Sequence, residues 1–283
     1  MAADAPDNGR AVVLGAGGVT GVAWEIGLLH GLAERGLDLT GADLFVGTSA
    51  GSVVAAQITS GQPLDKLYAH ELVDTTGDRN AVLGAGALLR YLIATAFPGD
   101  GRRGRAWLGR AALAAPTVPE SERRAAIAAR VPDEAWPDTE LRIAAVAADT
   151  GEVAVFDGRS GAALLDAVAA SCAVPLVWPP MTVNGTRYID GGIRSTANVD
   201  LAAGYGRVVV IAPLTAAARY ADRPAVQAAA LGPAVRTAVI SPDRAALAAI
   251  GRNPLSPDRR AAAAEAGRAQ AAAAAHRVRA AWE

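Results

Sequence analysis

The chain has 283 residues, of which 52% are hydrophobic, and its 27 basic and 28 acidic residues leave a formal net charge of −1. A chain of this length can bury one large core and lies near the upper limit for a single α/β domain. The balanced charge argues against nucleic acid as a partner, because neutralising phosphates requires a basic face. The single cysteine, Cys172, excludes an internal disulfide and a cysteine-based zinc site.

The N-terminal segment 1–10 is acidic and lacks an apolar run, which predicts that no signal peptide is present. The most apolar stretch, residues 11–33, is interrupted by glycines and carries Glu25 and His30. A membrane span needs about 20 mostly apolar residues without interruption. We therefore expect a cytoplasmic protein that contacts membranes only peripherally.

Short apolar runs alternate with stretches of helical character along the chain. The runs that favour strands lie at residues 11–14, 44–46, 141–147, 153–156, 187–189 and 208–211. The stretches that favour helices lie at residues 21–35, 50–60, 64–72, 120–130, 162–170 and 258–281. Strands buried on both faces are apolar on consecutive positions. The alternation predicts an α/β fold, a three-layer α/β/α sandwich around a mainly parallel central sheet.

Residues from about 75 to 137 fit this alternation poorly. Within them, residues 98–105 are rich in glycine and arginine, which predicts a flexible basic link between two apolar helical segments. Long irregular segments in compact domains are often lids or binding loops. We interpret the region as an insertion over one edge of the sheet, either a lid or a solvated loop.

The strongest local signal is the pentapeptide Gly47-Thr48-Ser49-Ala50-Gly51. It follows a predicted strand and precedes a predicted helix, the context in which G-x-S-x-G forms a nucleophile elbow. The flanking Gly47 and Gly51 would relieve the close approach of strand and helix. The hydroxyl of Ser49 would then lie at a helix N-terminus, where N–H groups and the helix dipole favour developing negative charge.

A glycine-rich loop, Gly15-Ala16-Gly17-Gly18-Val19-Thr20-Gly21, follows the first predicted strand. The dinucleotide fingerprint G-x-G-x-x-G fits it poorly, because the third glycine, counted from Gly15, would fall at Thr20. No acidic residue clearly ends a second strand at the usual distance. The loop does offer a run of unobstructed backbone N–H groups at a helix start, which suits an oxyanion hole.

A nucleophilic serine needs a base, and none of the three histidines lies at a predicted strand end. A Ser-His-Asp triad in the order of the α/β-hydrolases would have to use His276. Asp190 is the better candidate, because it ends a predicted strand and Gly191 and Gly192 after it would let another backbone pack against the carboxylate. By itself D-G is also a common hairpin signal.

Together these motifs resemble the patatin-like phospholipase family, whose pattern is a glycine-rich loop, a G-x-S-x-G elbow and then D-G-G or D-G-A. The segment 170–175 is similar to the A-S-x-A-x-P block of that family. The resemblance runs over about 11–213 and implies one patatin-like domain over 1–283, with a helical C-terminal part at about 214–283. It also implies a catalytic dyad, oxyanion N–H groups, and no metal or cofactor. The dyad would be Ser49 and Asp190, the oxyanion donors Gly17, Gly18 and Val19, and the motif-supporting glycines Gly15, Gly21, Gly47, Gly51, Gly191 and Gly192.

The expected activity is hydrolysis of lipid or carboxylic esters by a serine acyl hydrolase. Ala16 and Thr20 depart from the family pattern, since many members have glycine and a basic residue there, and this bears on head-group preference. An acyltransferase using the same residues and a catalytically idle binding module are alternatives. A nucleotide-binding oxidoreductase is a further alternative.

Overall fold

The computed structural model describes residues 7–73, 81–97, 99–131, 134–217 and 219–283. Within these ranges, eight strands form one sheet. They are β1 (Asp7–Leu14), β2 (Leu44–Gly47), β3 (Glu140–Ala147), β4 (Val153–Phe156), β5 (Met181–Val183), β6 (Thr186–Asp190), β7 (Tyr205–Ile211) and β8 (Arg236–Ile240). The hydrogen-bonded pairs connect the strands in the order β5-β6-β3-β2-β1-β7-β8, with β4 paired to β3 off this path.

The described helices lie between these strands along the chain and after the last of them. They are α1 (Gly18–Ala33), α2 (Ala50–Thr59), α3 (Leu64–Leu72), α4 (Ala85–Thr95), α5 (Arg102–Leu113), α6 (Glu120–Ala128), α7 (Leu164–Ser171), α8 (Pro224–Ala230), α9 (Arg244–Ile250) and α10 (Arg260–Trp282). Short 3-10 turns lie at Gly191–Ile193, Val199–Ala202, Tyr220–Asp222 and Pro257–Arg259. None of the described helices combines the length and apolarity that crossing a bilayer requires.

The sheet is mainly parallel and is covered on both faces. Four pairs are parallel, namely β1–β2, β2–β3, β1–β7 and β7–β8, whereas β3–β4, β3–β6 and β5–β6 are antiparallel. On one face, Val12 and Leu14 of β1 pack in a cluster with α1, α2, α7 and α10. On the other face, Ala11 and Val13 pack with the turn Val199–Ala202 and α8. The predicted three-layer sandwich is confirmed.

The predicted strands are confirmed as β1, β2, β3, β4, β6 and β7, and the predicted helices as α1, α2, α3, α6, α7 and α10. Helix α1 begins at Gly18, three residues before its predicted start. The sequence predicted a helical C-terminal part at about 214–283. The structure differs there, because residues 236–240 form β8 beside β7.

The predicted insertion is largely helical where the structure describes it, and its residues 75–80, 98 and 132–133 lie outside the described residues. The predicted flexible basic link is wrong for its arginines, which form the first turn of α5. Arg102 pairs with Glu152 at 2.9 Å, and Arg105 donates to the Gly151 carbonyl at 2.8 Å. These contacts hold the first turn of α5 against the loop that connects β3 and β4.

Helices α1 and α10 pack unusually closely, and this packing fixes the position of α1. A Cβ on Gly27 would overlap the Ala264 carbonyl, and one on Gly267 would overlap the Trp24 carbonyl. The indole N–H of Trp24 also donates to Gln270 on α10 at 3.2 Å. Because α1 starts with the glycine-rich loop, its anchoring also positions that loop.

Candidate active site

The sheet topology brings Ser49 and Asp190 together. Strand β2 pairs with the first half of β3 and ends at Gly47, whereas β6 pairs with the second half in the opposite direction and ends at Asp190. Strand β4 occupies the other edge of β3 along residues 143–146. Strands β2 and β6 therefore share one edge of β3, and their carboxyl ends converge beside Ala144. Ser49, two residues after β2, lies at this junction.

Ser49 occupies a strained turn that is held by polar contacts. Its φ is 52° and its ψ is −115°, and the side chain is buried; such backbone strain costs about 1–3 kcal/mol and persists only where the surroundings fix it. The Ser49 N–H donates to Ser171 Oγ at 2.8 Å, and that hydroxyl donates to the Ala144 carbonyl at 2.7 Å. The Ser49 carbonyl accepts from Ser52 Oγ at 2.6 Å and Cys172 Sγ at 3.3 Å.

The flanking glycines of the elbow allow close backbone approach. A Cβ on Gly47 would lie 2.6 Å from Ser52 Cα, and one on Gly51 would overlap the Leu14 carbonyl of β1. Larger side chains at either position would push α2 away from the sheet. The elbow therefore needs glycine at both positions for steric reasons.

Asp190 is buried beside Ser49, and its carboxylate accepts a backbone hydrogen bond. Its Oδ1 accepts the Gly192 N–H at 2.7 Å, and the Ser49 side chain lies near enough to stabilise the ionised carboxylate. Burial raises the pKa of Asp190 from 3.8 to about 6, against the opposing effects of the Ser49 side chain, the Gly192 N–H and the charge of Arg123. A carboxylate with this pKa is a stronger base than an exposed aspartate and is still ionised at neutral pH.

The glycine-rich loop presents free N–H groups beside Ser49. Helix α1 starts at Gly18, whose φ of +64° favours glycine. Among the described residues, the N–H groups of Gly17, Gly18 and Val19 have no hydrogen-bond acceptor, and neither has the N–H of Ala50 at the start of α2. Two helix N-termini therefore contribute N–H groups without an acceptor from residues that line the cavities at Ser49. The Ala50 donor was missed, although its place directly after the serine of the elbow could have indicated it.

The loop itself is anchored by a buried acid. Glu25 Oε1 accepts the Gly15 N–H at 2.9 Å, and burial raises the pKa of Glu25 well above its ordinary value. Thr20 donates through its N–H and its hydroxyl to the Pro254 carbonyl, at 3.1 and 3.2 Å. The Ala16 N–H donates to a carbonyl of the segment after Asp190, at 2.6 Å. Ala16 and Thr20, the two departures from the family pattern, thus make hydrogen bonds that hold the loop in place.

The segment after Asp190 is tied to the elbow by a residue that the sequence analysis did not identify. Asn198 Nδ2 donates to Thr48 Oγ1 at 3.0 Å and contacts the Gly191 carbonyl at 3.4 Å. A Cβ on Gly191 would overlap the Ala144 carbonyl. No local pattern indicated Asn198, because Thr48 is distant along the chain and Gly191 lies on the other side of a turn. Ser171, by contrast, lies in the A-S-x-A-x-P block, which could have indicated it.

Two cavities meet at Ser49. The large cavity, of about 940 Å³, is lined by Ser49, Asp190, Gly17 and the apolar side chains of α4. The small cavity, of about 280 Å³, is lined by Ser49, Val19 and one side of α6. Cavities of about 300–1,000 Å³ are typical of small-molecule sites. Ser49 therefore lies in the wall between two compartments of different size.

The histidines lie away from this site. His30 stacks on Tyr68 with ring centroids 4.6 Å apart, and His70 and His276 lie on α3 and α10. None of them lines either cavity. The described part of the chain also holds no group of three or more His, Cys, Asp or Glu side chains that could bind a metal ion. The candidate base with the required geometry is Asp190.

A strained serine at a strand–helix turn, a buried carboxylate beside it and free N–H groups around it are the features of an acyl hydrolase. Residues 12–203 match the sequence profile of the family described as patatin-like phospholipase. This match covers more than half of the chain, and the chain belongs to the patatin-like phospholipase family. It is accordingly a hydrolase that acts on ester bonds, and this prediction is confirmed.

Other comparisons give only distant similarities. A search of curated proteins finds no match. VipD from Legionella pneumophila shares 14% identity at a TM-score of 0.47, over 95% of this chain and 67% of VipD. The type III effector protein ExoU shares 16% identity at a TM-score of 0.42, over 99% of this chain and 54% of ExoU. The chain thus spans about half the length of ExoU.

Proposed function

We propose that this chain cleaves lipid or other carboxylic esters through a dyad in which Ser49 is the nucleophile and Asp190 the base. The observation that carries the proposal is the burial of these two residues side by side, with Ser49 at the meeting point of two cavities. The raised pKa of Asp190 supports its role as base, because a general base works best with a pKa close to the working pH.

In the proposed reaction, Asp190 accepts the proton of the Ser49 hydroxyl as Oγ attacks the ester carbonyl carbon. The oxyanion that forms accepts hydrogen bonds from the N–H groups of Gly17, Gly18 and Val19. The protonated Asp190 then gives its proton to the leaving alcohol, which leaves an acyl group on Ser49. Water, deprotonated by Asp190, attacks the acyl-enzyme ester. The bond from the acyl carbon to Ser49 Oγ then breaks, Asp190 returns the proton to Oγ, and the acid is released. Single oxyanion donors contribute about 10²–10³ in rate in other hydrolases.

We further propose that the described part of the insertion is a lid over the large cavity. Helix α4 buries none of its side chains, and its Leu88, Leu89 and Leu92 are more than half exposed. Leu88 and Leu92 also line the large cavity. An apolar helix at the cavity mouth suits a long acyl chain and peripheral contact with a lipid surface. The cytoplasmic location stays a prediction from the sequence.

The decisive experiment is labelling with a fluorophosphonate, followed by peptide mapping. We expect the wild-type protein to be labelled on Ser49 and to hydrolyse a short p-nitrophenyl ester. Ser49→Ala should lose both properties with an unchanged circular dichroism spectrum. Ser60→Ala is the matched control, because Ser60 is an exposed serine at the far end of the same helix, and it should keep both.

The same assays separate the alternatives. An acyltransferase would label on Ser49 but transfer the acyl group to an added alcohol in preference to water. A binding module without catalysis would fold normally and fail to react with the fluorophosphonate. Labelling of another serine, or hydrolysis by Ser49→Ala, would remove Ser49 from the proposed role.

A further inference from the structure

The small cavity beside Ser49 is lined by two arginines among mainly apolar side chains. Arg123 lies on α6 and Arg130 just beyond its end, and both line this cavity together with Ser49. Most of the other lining residues are apolar, including Val53 and Trp178. Two cations in a small, mainly apolar compartment call for a specific counterpart, because burying unpaired charge is costly.

Arg123 has no carboxylate partner among the described residues. Its guanidinium carbon lies 4.2 Å from the centroid of the Trp178 ring, and its Nη2 donates to the Cys172 carbonyl at a long 3.4 Å. Its Nε is buried and has no hydrogen-bond acceptor in the described part of the chain. Stacking on an aromatic ring is a common way of holding a guanidinium in place while its N–H edge stays available.

Arg130 is only partly compensated. Its Nη1 contacts Glu71 at 3.3 Å, but Glu71 also pairs with Arg260 at 2.8 Å, so one carboxylate serves two guanidinium groups. The Nη2 of Arg130 is buried and lacks an acceptor among the residues that the structure describes. Glu122 also lines the cavity, at the α6 side. The two arginines therefore each hold, close to Ser49, a buried N–H group that has no acceptor among the described residues.

We propose that the small cavity binds an oxyanion group carried by the ester substrate, with Arg123 and Arg130 as its hydrogen-bond donors. Guanidinium groups match the geometry of phosphate and carboxylate oxygens. The large cavity, lined by the apolar residues of α4, then takes the acyl chain. Ser49 lies between the two compartments and cuts the bond that joins the chain to the anionic part. This proposal rests on the proposed function at Ser49.

The test compares two soluble substrates that differ only in the anion, hexanoylglycerol and hexanoylglycerol phosphate. The short chain keeps both substrates in solution, so that membrane binding does not enter the measurement. We expect wild-type kcat/KM to favour the phosphate ester by roughly tenfold to a hundredfold, the range of a charge-assisted hydrogen bond. Arg123→Gln should reduce this preference towards one, mainly through a higher KM for the phosphate ester.

Variants of α6 separate binding from a structural role. Arg123→Lys keeps the charge and should retain part of the preference, and Arg130→Gln should reduce it. Arg124→Gln is the matched control, because Arg124 is the next residue but pairs with Glu134 and Asp166 outside the cavity. It should keep the wild-type preference. Loss of the preference in Arg124→Gln, at an unchanged melting temperature, would contradict the assignment.

The wild-type protein alone also tests the proposal, independently of any variant. If hexanoylglycerol is hydrolysed as fast as its phosphate, the proposal is wrong while the proposed function stands. If inorganic phosphate inhibits competitively but the phosphate ester is not preferred, the site takes a free anion and the proposal is again wrong. If neither ester is hydrolysed and Ser49 is not labelled, the proposed function itself fails.

Discussion

Replacing Asp190 by asparagine should inactivate the protein and at the same time stabilise it. Asparagine keeps the shape of the side chain and an oxygen that can accept the Gly192 N–H, but it cannot take up the proton of Ser49. General-base catalysis contributes about 10²–10⁴ in rate, so kcat should fall by at least this amount. In the wild-type protein, kcat/KM should decline below pH 6 as the base becomes protonated, since the pKa of Asp190 is about 6.

The gain in stability follows from the same pKa. Burial raises the pKa of Asp190 from 3.8 to about 6, which means that the fold favours the protonated carboxyl. This contribution is complete below about pH 3.8 and is lost as the pH rises through 6. One pKa unit corresponds to about 1.4 kcal/mol, so ionised Asp190 costs about 3 kcal/mol at pH 8. The neutral asparagine avoids this cost.

Urea unfolding of both proteins at pH 8 and at pH 5 measures the effect. The free energy of unfolding of Asp190→Asn should exceed the wild-type value by up to about 3 kcal/mol at pH 8. The difference should shrink as the pH falls towards 4, because Asp190 becomes neutral in both the folded and the unfolded wild-type chain. Equal stability at pH 8, or a difference independent of pH, would refute the view that Asp190 is a buried base with a raised pKa.

Three further predictions concern the groups around the dyad. His276→Gln should retain full esterase activity, and a folded but inactive protein would point to a triad instead. Gly18→Ala should cut kcat strongly and lower the melting temperature, since its φ is +64° and a Cβ would lie 2.6 Å from the Pro254 carbonyl oxygen; a stable, active variant would show that the loop is only a helix start. Glu25→Gln should be tolerated and should remove a loss of stability that begins as the pH rises above 4.5, because the raised pKa of Glu25 means that the fold favours its neutral form; an unchanged pH dependence of urea unfolding would contradict this.

The central sheet could be predicted because its strands have a clear local sequence pattern. Residues 11–14 and 208–211 are apolar on consecutive positions, and all of these side chains are buried because both faces of the sheet are covered. Strand β8 escaped prediction because it is an edge strand whose first two side chains are exposed, and β5 is only three residues long. Helix α4 lies in one of the two apolar helical segments predicted beside residues 98–105, but because it buries no side chain its pattern did not give its bounds.

The candidate site could be predicted only in part. Ser49 and Asp190 lie in short motifs that are legible in one sequence, and the structure brings them together. Arg123 follows no motif, since it sits beside Arg124 in a charged helix and nothing local distinguishes them. Only the fold turns Arg123 onto Trp178 and into the small cavity, while Arg124 pairs with carboxylates outside it.

The motifs act together through one inconspicuous residue of β3. The Ala144 carbonyl accepts the hydroxyl of Ser171, which in turn holds the Ser49 N–H. The backbone of Gly191 packs directly on the same carbonyl, and this contact positions the start of the segment after Asp190. A single strand position therefore fixes the elbow, the A-S-x-A-x-P block and the aspartate relative to one another. Both contacts are made to the backbone carbonyl of Ala144, so its side chain does not indicate them. The three motifs could therefore be recognised in the sequence, whereas the residue that connects them could not.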